Sequence, residues 1–286
     1  MVLPHHVRGR ANQGVDTLGE VSFENVSSSS RTGVPMNTMG VAVGDYDRDL
    51  DFDMVLSNIR APALFQNDGT GRFAMAQRYA RIDRTHHDAS SIAVTWGTLF
   101  ADFNNDGWED LYLASGRLAR GELTSGDDSY QPNILFTNAR NGRFYDHSAP
   151  SNADDTGTSR GIAAADYDRD GRVDLFVVNQ GGKPRLYRNV SSTKGAHWLE
   201  VDTVGTSSNR DGCGARLVAK IGQVELLRQV MCGGTSVSTG SDTTVHFGLG
   251  GRTRIDTLTV VWPSGITQVL EDVSVDELIT IEEAAA

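Results

Sequence analysis

Short apolar segments alternate with acidic or glycine-rich turns along most of the chain. The runs at 54–56, 111–114 and 175–178 each follow an acidic turn, and a second apolar run precedes each turn, at 39–44, 94–101 and 161–165. Runs of this length, rich in aliphatic, β-branched and aromatic residues, are typical of buried strands, and no long helical periodicity competes with them. Each acidic turn therefore joins two strands of a predicted hairpin.

Further turns extend each hairpin into a larger unit. In the first unit a strand at 63–67 is followed by a glycine-containing turn at 68–71 and a strand from residue 72. Similar segments occur at 133–138 and 141–146, and again at 185–189. Four strands joined by tight turns form one blade of a propeller. We expect an all-β fold with about three four-stranded blades, a leading strand at 21–26 and a tail over residues 1–18.

The acidic turns share one nine-residue spacing whose first position falls at residues 45, 102 and 166. Positions one, three, five and nine carry Asp or Asn, and position six is Gly in the second and third copies. Oxygen ligands alternating along a short loop, together with the backbone carbonyl of position seven, can surround a hard cation such as Ca²⁺. The repeat of about 57 to 64 residues is typical of radially arranged units.

The net charge of the chain is concentrated in these three turns. They carry −4, −4 and −2, which accounts for ten of the eleven net negative charges. The alternative is a set of ordinary solvated surface turns, but carboxylates this close repel one another unless a cation or protons intervene. The turns are not EF-hands, because position twelve is Leu56, Leu113 or Val177 instead of Glu, and strands flank each loop.

Composition limits the other classes of function. No apolar run reaches the roughly 18 residues that a membrane span requires, so we expect no membrane insertion. The acidic balance predicts no nucleic-acid partner, because binding the phosphate backbone needs a basic patch. The first ten residues lack the apolar centre of a secretory signal. Either a signal lies outside this sequence or the protein is not exported by that route.

The repeated unit resembles a known family. Its pattern is Ala/Gly-Asp-Tyr/Phe-Asp/Asn-x-Asp-Gly-x-x-Asp-Leu, then Leu-Phe/Tyr-x-Asn and Gly-x-Phe, and it is similar to the FG-GAP or VCBS repeats of calcium-binding β-propellers over residues 19–192. The resemblance implies about three Ca²⁺ ions, bound at positions one, three, five, seven and nine. The implied ligands are Asp45, Asp47, Asp49, Asp51 and Asp53; Asp102, Asn104, Asp106, Trp108 and Asp110; and Asp166, Asp168, Asp170, Arg172 and Asp174.

The first loop departs from the family pattern at position six. Leu50 stands where the other two loops have Gly. If position six needs a positive φ, Leu there is strained by about 1 kcal/mol or more. We therefore expect the first site to be the weakest of the three, unless the extra Asp51 offsets the strain.

Residues 193–284 form a different predicted domain with an antiparallel β fold. The segments 198–201, 208–212, 214–218, 246–250 and 261–265 resemble the ASPIC/UnbV domain. The resemblance implies no catalytic residues, because none are agreed for the family. His246 is more readily explained as a structural residue than as a metal ligand or base, since no partner carboxylate lies beside it in the sequence.

The two cysteines belong to this second domain. Gly222 and Gln223 fit a two-residue type II′ turn, and that register pairs residues whose numbers sum to 445, so that Cys213 faces Cys232. Directly opposed residues lie within disulfide reach when their side chains turn toward each other. We predict a Cys213–Cys232 disulfide; the alternative is two reduced, half-buried thiols, which would suit a cytosolic chain.

Three repeat units are few for a closed propeller, which has four to eight blades. Further blades in a longer chain, association of chains to complete the ring, or capping by the C-terminal domain would each protect the open edges. We expect a calcium-binding extracellular or cell-surface protein of the adhesion or matrix type, with structural ions and a protein or glycan partner. The alternatives are a subunit of a self-assembling extracellular polymer and an enzyme. A lyase, an isomerase or a glycan-active enzyme would use the inter-blade loops, where His86, His87 and Asp88 are the first residues to test.

Overall fold

The computed structural model describes residues 22–83, 94–117, 131–234, 236 and 240–285. Within these ranges the chain is all-β apart from one short helix, and its strands form five small sheets in a propeller-like arrangement. Three sheets come from the repeated units and are named the first, second and third repeat sheets. The other two come from the C-terminal part of the chain and are named the C-terminal sheets.

The first and second repeat sheets each contain four antiparallel strands in sequence order, and the third contains three. The first consists of β1 (Val41–Gly44), β2 (Asp53–Leu56), β3 (Ala63–Asn67) and β4 (Phe73–Met75). The second consists of β5 (Thr95–Ala101), β6 (Asp110–Ser115), β7 (Ile134–Asn138) and β8 (Phe144–Asp146). The third follows helix α1 (Ser148–Ser151) and consists of β9 (Ser159–Ala165), β10 (Asp174–Asn179) and β11 (Arg185–Tyr187).

Each repeat sheet stacks on the next through its apolar face. Val55 of β2 belongs to a buried cluster with Leu111 and Leu113 of β6. On the other side of the second sheet, Tyr112 packs in a second cluster with Leu175. The period-2 alternation of a strand sends neighbouring residues to opposite faces, so β6 can be buried on both faces. This double burial explains why its sequence is almost continuously apolar.

The C-terminal sheets enclose a third core. Its strands are β12 (His197–Val204), β13 (Arg216–Ile221), β14 (Val224–Gln229), β15 (Val245–Gly250), β16 (Ile255–Val261), β17 (Thr267–Val273) and β18 (Glu277–Glu282). One sheet has the order β15-β12-β18 and the other β14-β13-β16-β17. Leu199, Phe247, Leu217, Leu258 and Trp262 are buried between them.

Three sequence predictions need correction. The structure has five small sheets where about three blades were expected. The third repeat sheet has three strands because residues 188–191 do not continue into the glycine turn that precedes β4 and β8. The C-terminal part is not purely antiparallel, since β18 crosses over from the other sheet and pairs with β12 in parallel. Residues 22–26 form no strand.

The predicted hairpin and disulfide are confirmed. Strands β13 and β14 pair in the expected register, with Lys220 opposite Glu225, and Gly222 has a positive φ of 60°. Cys213 and Cys232 form a disulfide with their Cα atoms 5.5 Å apart. The bridge extends the hairpin beyond its last ladder pair, Arg216 and Gln229.

Candidate metal centre

The three acidic loops share one backbone conformation. Positions four and six have positive φ in every loop: 61° at Arg48 and 71° at Leu50, 56° at Asn105 and 87° at Gly107, and 58° at Arg169 and 80° at Gly171. Leu50 therefore has the left-handed backbone conformation that strains residues other than Gly. A branched side chain there costs about 1–2 kcal/mol relative to Gly.

The first loop holds buried carboxylate oxygens that lack a donor. Asp45 Oδ2, Asp47 Oδ1 and Asp53 Oδ2 are inaccessible to solvent and accept no hydrogen bond from the described part of the chain. Carboxylate oxygens of Asp45, Asp47 and Asp49 also lie within 4.8 Å of one another. Buried polar atoms are nearly always paired, so three unpaired carboxylate oxygens in one loop point to a bound cation or to protons.

Electrostatics in the first loop favour the same conclusion. Burial and the nearby Glu109 carboxylate raise the pKa of Asp45 to about 7. Burial also raises the pKa of Asp53 to about 8, against the effect of a hydrogen bond from the Asn67 N–H, and it raises the pKa of Asp47. A divalent cation would remove this penalty by favouring the charged carboxylates. The residues of the first loop therefore fit an oxygen-coordinated cation.

The third loop is also acidic, but arginines already neutralise part of it. Carboxylate oxygens of Asp166, Asp168 and Asp174 lie within 4.8 Å of one another. Arg188 Nε is 2.7 Å from Asp168 Oδ2, and both Arg188 and Arg172 pair with the carboxylate of Asp170. Burial raises the pKa of Asp174. A cation here would have to displace Arg188, whose side chain is half exposed.

The second loop uses most of its carboxylate oxygens in hydrogen bonds. Asp102 accepts the backbone N–H groups of Asp106 and Gly107, and Asp110 accepts those of Phe103 and Asn138. Although all three are described, Asp102, Asp106 and Asp110 do not form a group within 4.8 Å. Burial still raises the pKa of Asp102 to about 7 and that of Asp110 well above its ordinary value.

Other predicted ligands have local roles in the loops. Asn104 Oδ1 accepts the Asp106 N–H, and Asp49 Oδ1 accepts the Asp51 N–H, as expected for acidic turns. The Trp108 ring lies under the Arg48 guanidinium, whose Cζ is 3.9 Å from the ring centroid. Arg140 Nη2 pairs with Asp106 Oδ2 at 2.9 Å. The predicted residues His86, His87 and Asp88 lie outside the described residues.

A buried ion pair connects the loops to the C-terminal sheets, and the sequence analysis missed it. Arg228 Nε of β14 is 3.5 Å from Glu109 Oε1, and both side chains are buried. Glu109 Oε2 in turn accepts the backbone N–H of Asp45 at 2.8 Å. One signal was available in the sequence: Arg228 interrupts the apolar run of β14, and a charged residue at such a position usually has a partner.

His246 belongs to the same junction. Its Nε2 lies 3.2 Å from the Gly171 carbonyl oxygen. Burial lowers the pKa of His246 to about 4, so the ring is neutral and donates through Nε2. The Gly250 N–H also donates to the Asn105 carbonyl oxygen at 2.7 Å. The C-terminal sheets thus contact the second and third acidic loops directly and are linked to the first through Glu109.

No helix in the described ranges is long and apolar enough to cross a bilayer.

Comparison with known families and proteins gives matches in both parts of the chain. The family model for FG-GAP-like repeats matches residues 45–113 and 102–177, and the model named ASPIC and UnbV matches residues 205–286. Cartilage acidic protein 1 from mouse is 43% identical over 67 residues, and the human protein is 42% identical over 67 residues. Each of these two alignments covers 23% of this chain and 10% of the relative. The Xenopus tropicalis protein is 33% identical over 78 residues, which cover 27% of this chain and 12% of that protein.

Proposed function

We propose that this chain, in which FG-GAP-like repeats precede an ASPIC and UnbV segment, is an extracellular binding protein whose repeat loops hold calcium as a structural ion. The observation that carries the proposal is the set of three buried, unpaired oxygens on Asp45, Asp47 and Asp53. Calcium would supply positive charge and extra coordination to these oxygens. The same ion would stabilise the folded state, because the unfolded chain cannot assemble the ligands.

The loops differ in how readily they would accept the ion. The first loop offers unpaired oxygens, and the third holds Arg188 on Asp168. In the second loop both oxygens of Asp102 and both oxygens of Asp110 already accept backbone N–H groups. We therefore rank the first loop as the tightest site despite the strain at Leu50. That strain is already present in the folded loop and is not added on binding.

Isothermal titration of Ca²⁺ into chelator-treated protein tests the proposal. The wild-type chain is expected to bind up to three ions, and Asp45→Asn combined with Asp47→Asn is expected to remove the tightest site. Asp272→Asn, at an exposed acid outside the loops, is the control and should keep the full stoichiometry. Absence of binding to the wild type, or equal loss in the control, would exclude the calcium function.

The extracellular location rests on independent observations. The Cys213–Cys232 disulfide suits an oxidising compartment, and the relatives carry the name cartilage acidic protein 1. We propose that the chain works by presenting a surface to a protein or glycan partner at the cell surface or in the matrix, as adhesion proteins do. We also propose a division into a repeat domain at 19–192 and a C-terminal domain at 193–284.

Surface plasmon resonance on the immobilised full chain, with matrix proteins and neutral and acidic glycans as analytes, tests the partner proposal. A specific partner should bind in calcium and lose affinity in chelator. Binding that is equal for all analytes, or none at all, would count against a recognition role.

An enzymatic function has less support. The matched families are named for repeats and for a domain, and neither name describes an activity. His197 Nδ1 is 2.6 Å from Asp276 Oδ2, which resembles half of a catalytic triad. However, no Ser, Thr or Cys side chain in the described ranges hydrogen-bonds to His197. Absence of turnover in a glycan screen, for the wild type and for a His86/His87 double alanine variant alike, would agree with this view.

A further inference from the structure

The third repeat sheet exposes the face that the other two repeat sheets bury. Val55, Tyr112 and Phe176 occupy the same position, two residues after the ninth loop position. Val55 and Tyr112 are each 0% exposed, because the next repeat sheet covers them, whereas Phe176 is 41% exposed. The neighbouring strand shows the same difference, with Leu64 at 0%, Leu135 at 7% and Leu186 at 57%.

The opposite end of the array is partly open at β2, although Phe65 and Ala63, which pair with Met54 and Leu56 on the same face, are buried. In the second sheet, Leu111 and Leu113 point toward the first sheet and are fully buried in the cluster that contains Val55. The equivalent residues of the first sheet, Met54 and Leu56, are only partly buried. The array therefore presents two different apolar faces, one at each end.

The hydrogen bonds between adjacent loops repeat in the same direction. The side chain at position four donates to the carbonyl at position six of the next loop, from Arg48 Nε to Gly107 at 3.0 Å and from Asn105 Nδ2 to Gly171 at 2.8 Å. Arg169 holds this position in the third loop. It is exposed and forms no hydrogen bond or ion pair within the part of the chain that the structure describes.

A second set of hydrogen bonds runs from a repeat unit back to the preceding loop. Asn138 Nδ2 donates to the carbonyl of Tyr46 in the preceding loop at 2.8 Å, and Asn189 Nδ2 donates to that of Phe103 at 2.8 Å. Each of these Asn side chains also donates to the backbone carbonyl at position eight of the loop in its own unit. Asn67, the equivalent residue in the first sheet, makes only the bond within its own unit, to Phe52. One end thus has a free donor at Asn67, and the other has a free donor at Arg169.

We propose that the third repeat sheet binds the first repeat sheet of a second copy of this chain, head to tail. Phe176 and Leu186 would pack against Met54 and Leu56 of that copy. Arg169 would donate to the Leu50 carbonyl, and Asn67 of the second copy would donate to the Tyr167 carbonyl. These contacts repeat those between the first and second repeat sheets and between the second and third. A second copy of the same array therefore supplies the apolar side chains and the carbonyl acceptors that each end lacks. A contact between two different faces either closes a ring or continues as an open chain.

Sedimentation velocity on the full chain in calcium, up to about 100 µM, tests whether the contact forms in the micromolar range. The wild type should form dimers or larger species, and Phe176→Asp or Leu186→Asp should abolish them. Val269→Asp is the matched control, because Val269 is 55% exposed on β17 and should leave the assembly unchanged. Arg169→Ala, a surface change that cannot create a buried charge, should weaken assembly about tenfold.

A mixing experiment tests the direction of the contact. Met54→Asp disables only the first-sheet face, and Phe176→Asp disables only the third-sheet face, so each variant alone should be monomeric. In their mixture, the intact third-sheet face of Met54→Asp can bind the intact first-sheet face of Phe176→Asp, so the two variants should form a one-to-one dimer. Circular dichroism must show that both variants are folded; should Met54→Asp unfold, Asn67→Ala replaces it. A wild type that stays monomeric, or a mixture of folded variants that does not dimerise, would overturn the proposal and leave these faces for repeats of another chain.

Discussion

Neutralising Glu109 should destabilise the whole protein, because its partner would remain charged in a buried position. Arg228 and Glu109 are 9% and 7% exposed, and their charged groups are 3.5 Å apart. The change Glu109→Gln keeps the shape of the side chain and removes its charge. Breaking one side of a buried pair in this way costs about 3–5 kcal/mol of unfolding free energy.

Two further variants separate the ion pair from general damage. Asp272→Asn removes an equivalent charge from the exposed pair with Arg254 and should cost less than about 1 kcal/mol. The double variant Glu109→Gln/Arg228→Met removes both charges and should recover most of the stability lost in Glu109→Gln. Arg228→Met alone completes the double-mutant cycle, and the cost of the double variant minus the summed costs of the two single variants measures the coupling across the junction.

Urea unfolding in saturating calcium, followed by circular dichroism and by tryptophan fluorescence, measures these free energies. The two signals must give one transition, since a two-step curve would have no single unfolding free energy. The reasoning is refuted if Glu109→Gln costs no more than Asp272→Asn. That result would mean that Arg228 is solvated and that the C-terminal sheets do not depend on the acidic loops for their position.

Three smaller predictions concern other contacts. Replacing Cys213 and Cys232 by Ser opens a bridge that spans 19 residues and should cost about 3 kcal/mol in urea unfolding, with no added effect of reductant. Tyr112→Phe removes a buried hydrogen bond from the hydroxyl to the Ala153 carbonyl at 2.6 Å and should lower stability by about 1–2 kcal/mol. Burial opposes ionisation of Glu283, but three backbone N–H groups and two serine hydroxyls outweigh it and lower its pKa to about 2. Its stabilising effect should therefore be complete above about pH 4.5 and disappear as the pH falls toward 2, whereas Glu283→Gln should show no such loss in acid unfolding.

The features that could be predicted from the sequence are those formed by residues close together along the chain. The spacing of the acidic turns and the resemblance to both families are confirmed, because these features are read along a continuous stretch of chain. The disulfide is confirmed for the same reason. A two-residue turn at Gly222 fixes the register of its hairpin, and that register extends to the Cys pair.

The features that could not be predicted depend on contacts between segments that are far apart in the sequence. The parallel pairing of β18 with β12 depends on which sheet edge remains open after the other strands have paired. The differences among the acidic loops depend on Arg140 and Arg188, which come from turns outside the loops. Position six was correctly identified as a point of strain, yet only the structure shows that Leu50 accepts a positive φ there.

The central claim is that the acidic loops are cation sites, and unfolding with and without calcium tests it most directly. Each occupied site should add about 2.7 kcal/mol to the unfolding free energy when free calcium is about 100 times its dissociation constant. Thermal unfolding of the wild type should therefore shift to a clearly higher temperature in calcium than in EDTA, and Asp45→Asn/Asp47→Asn should reduce the shift. Melting curves that superimpose in calcium and in EDTA would contradict the account.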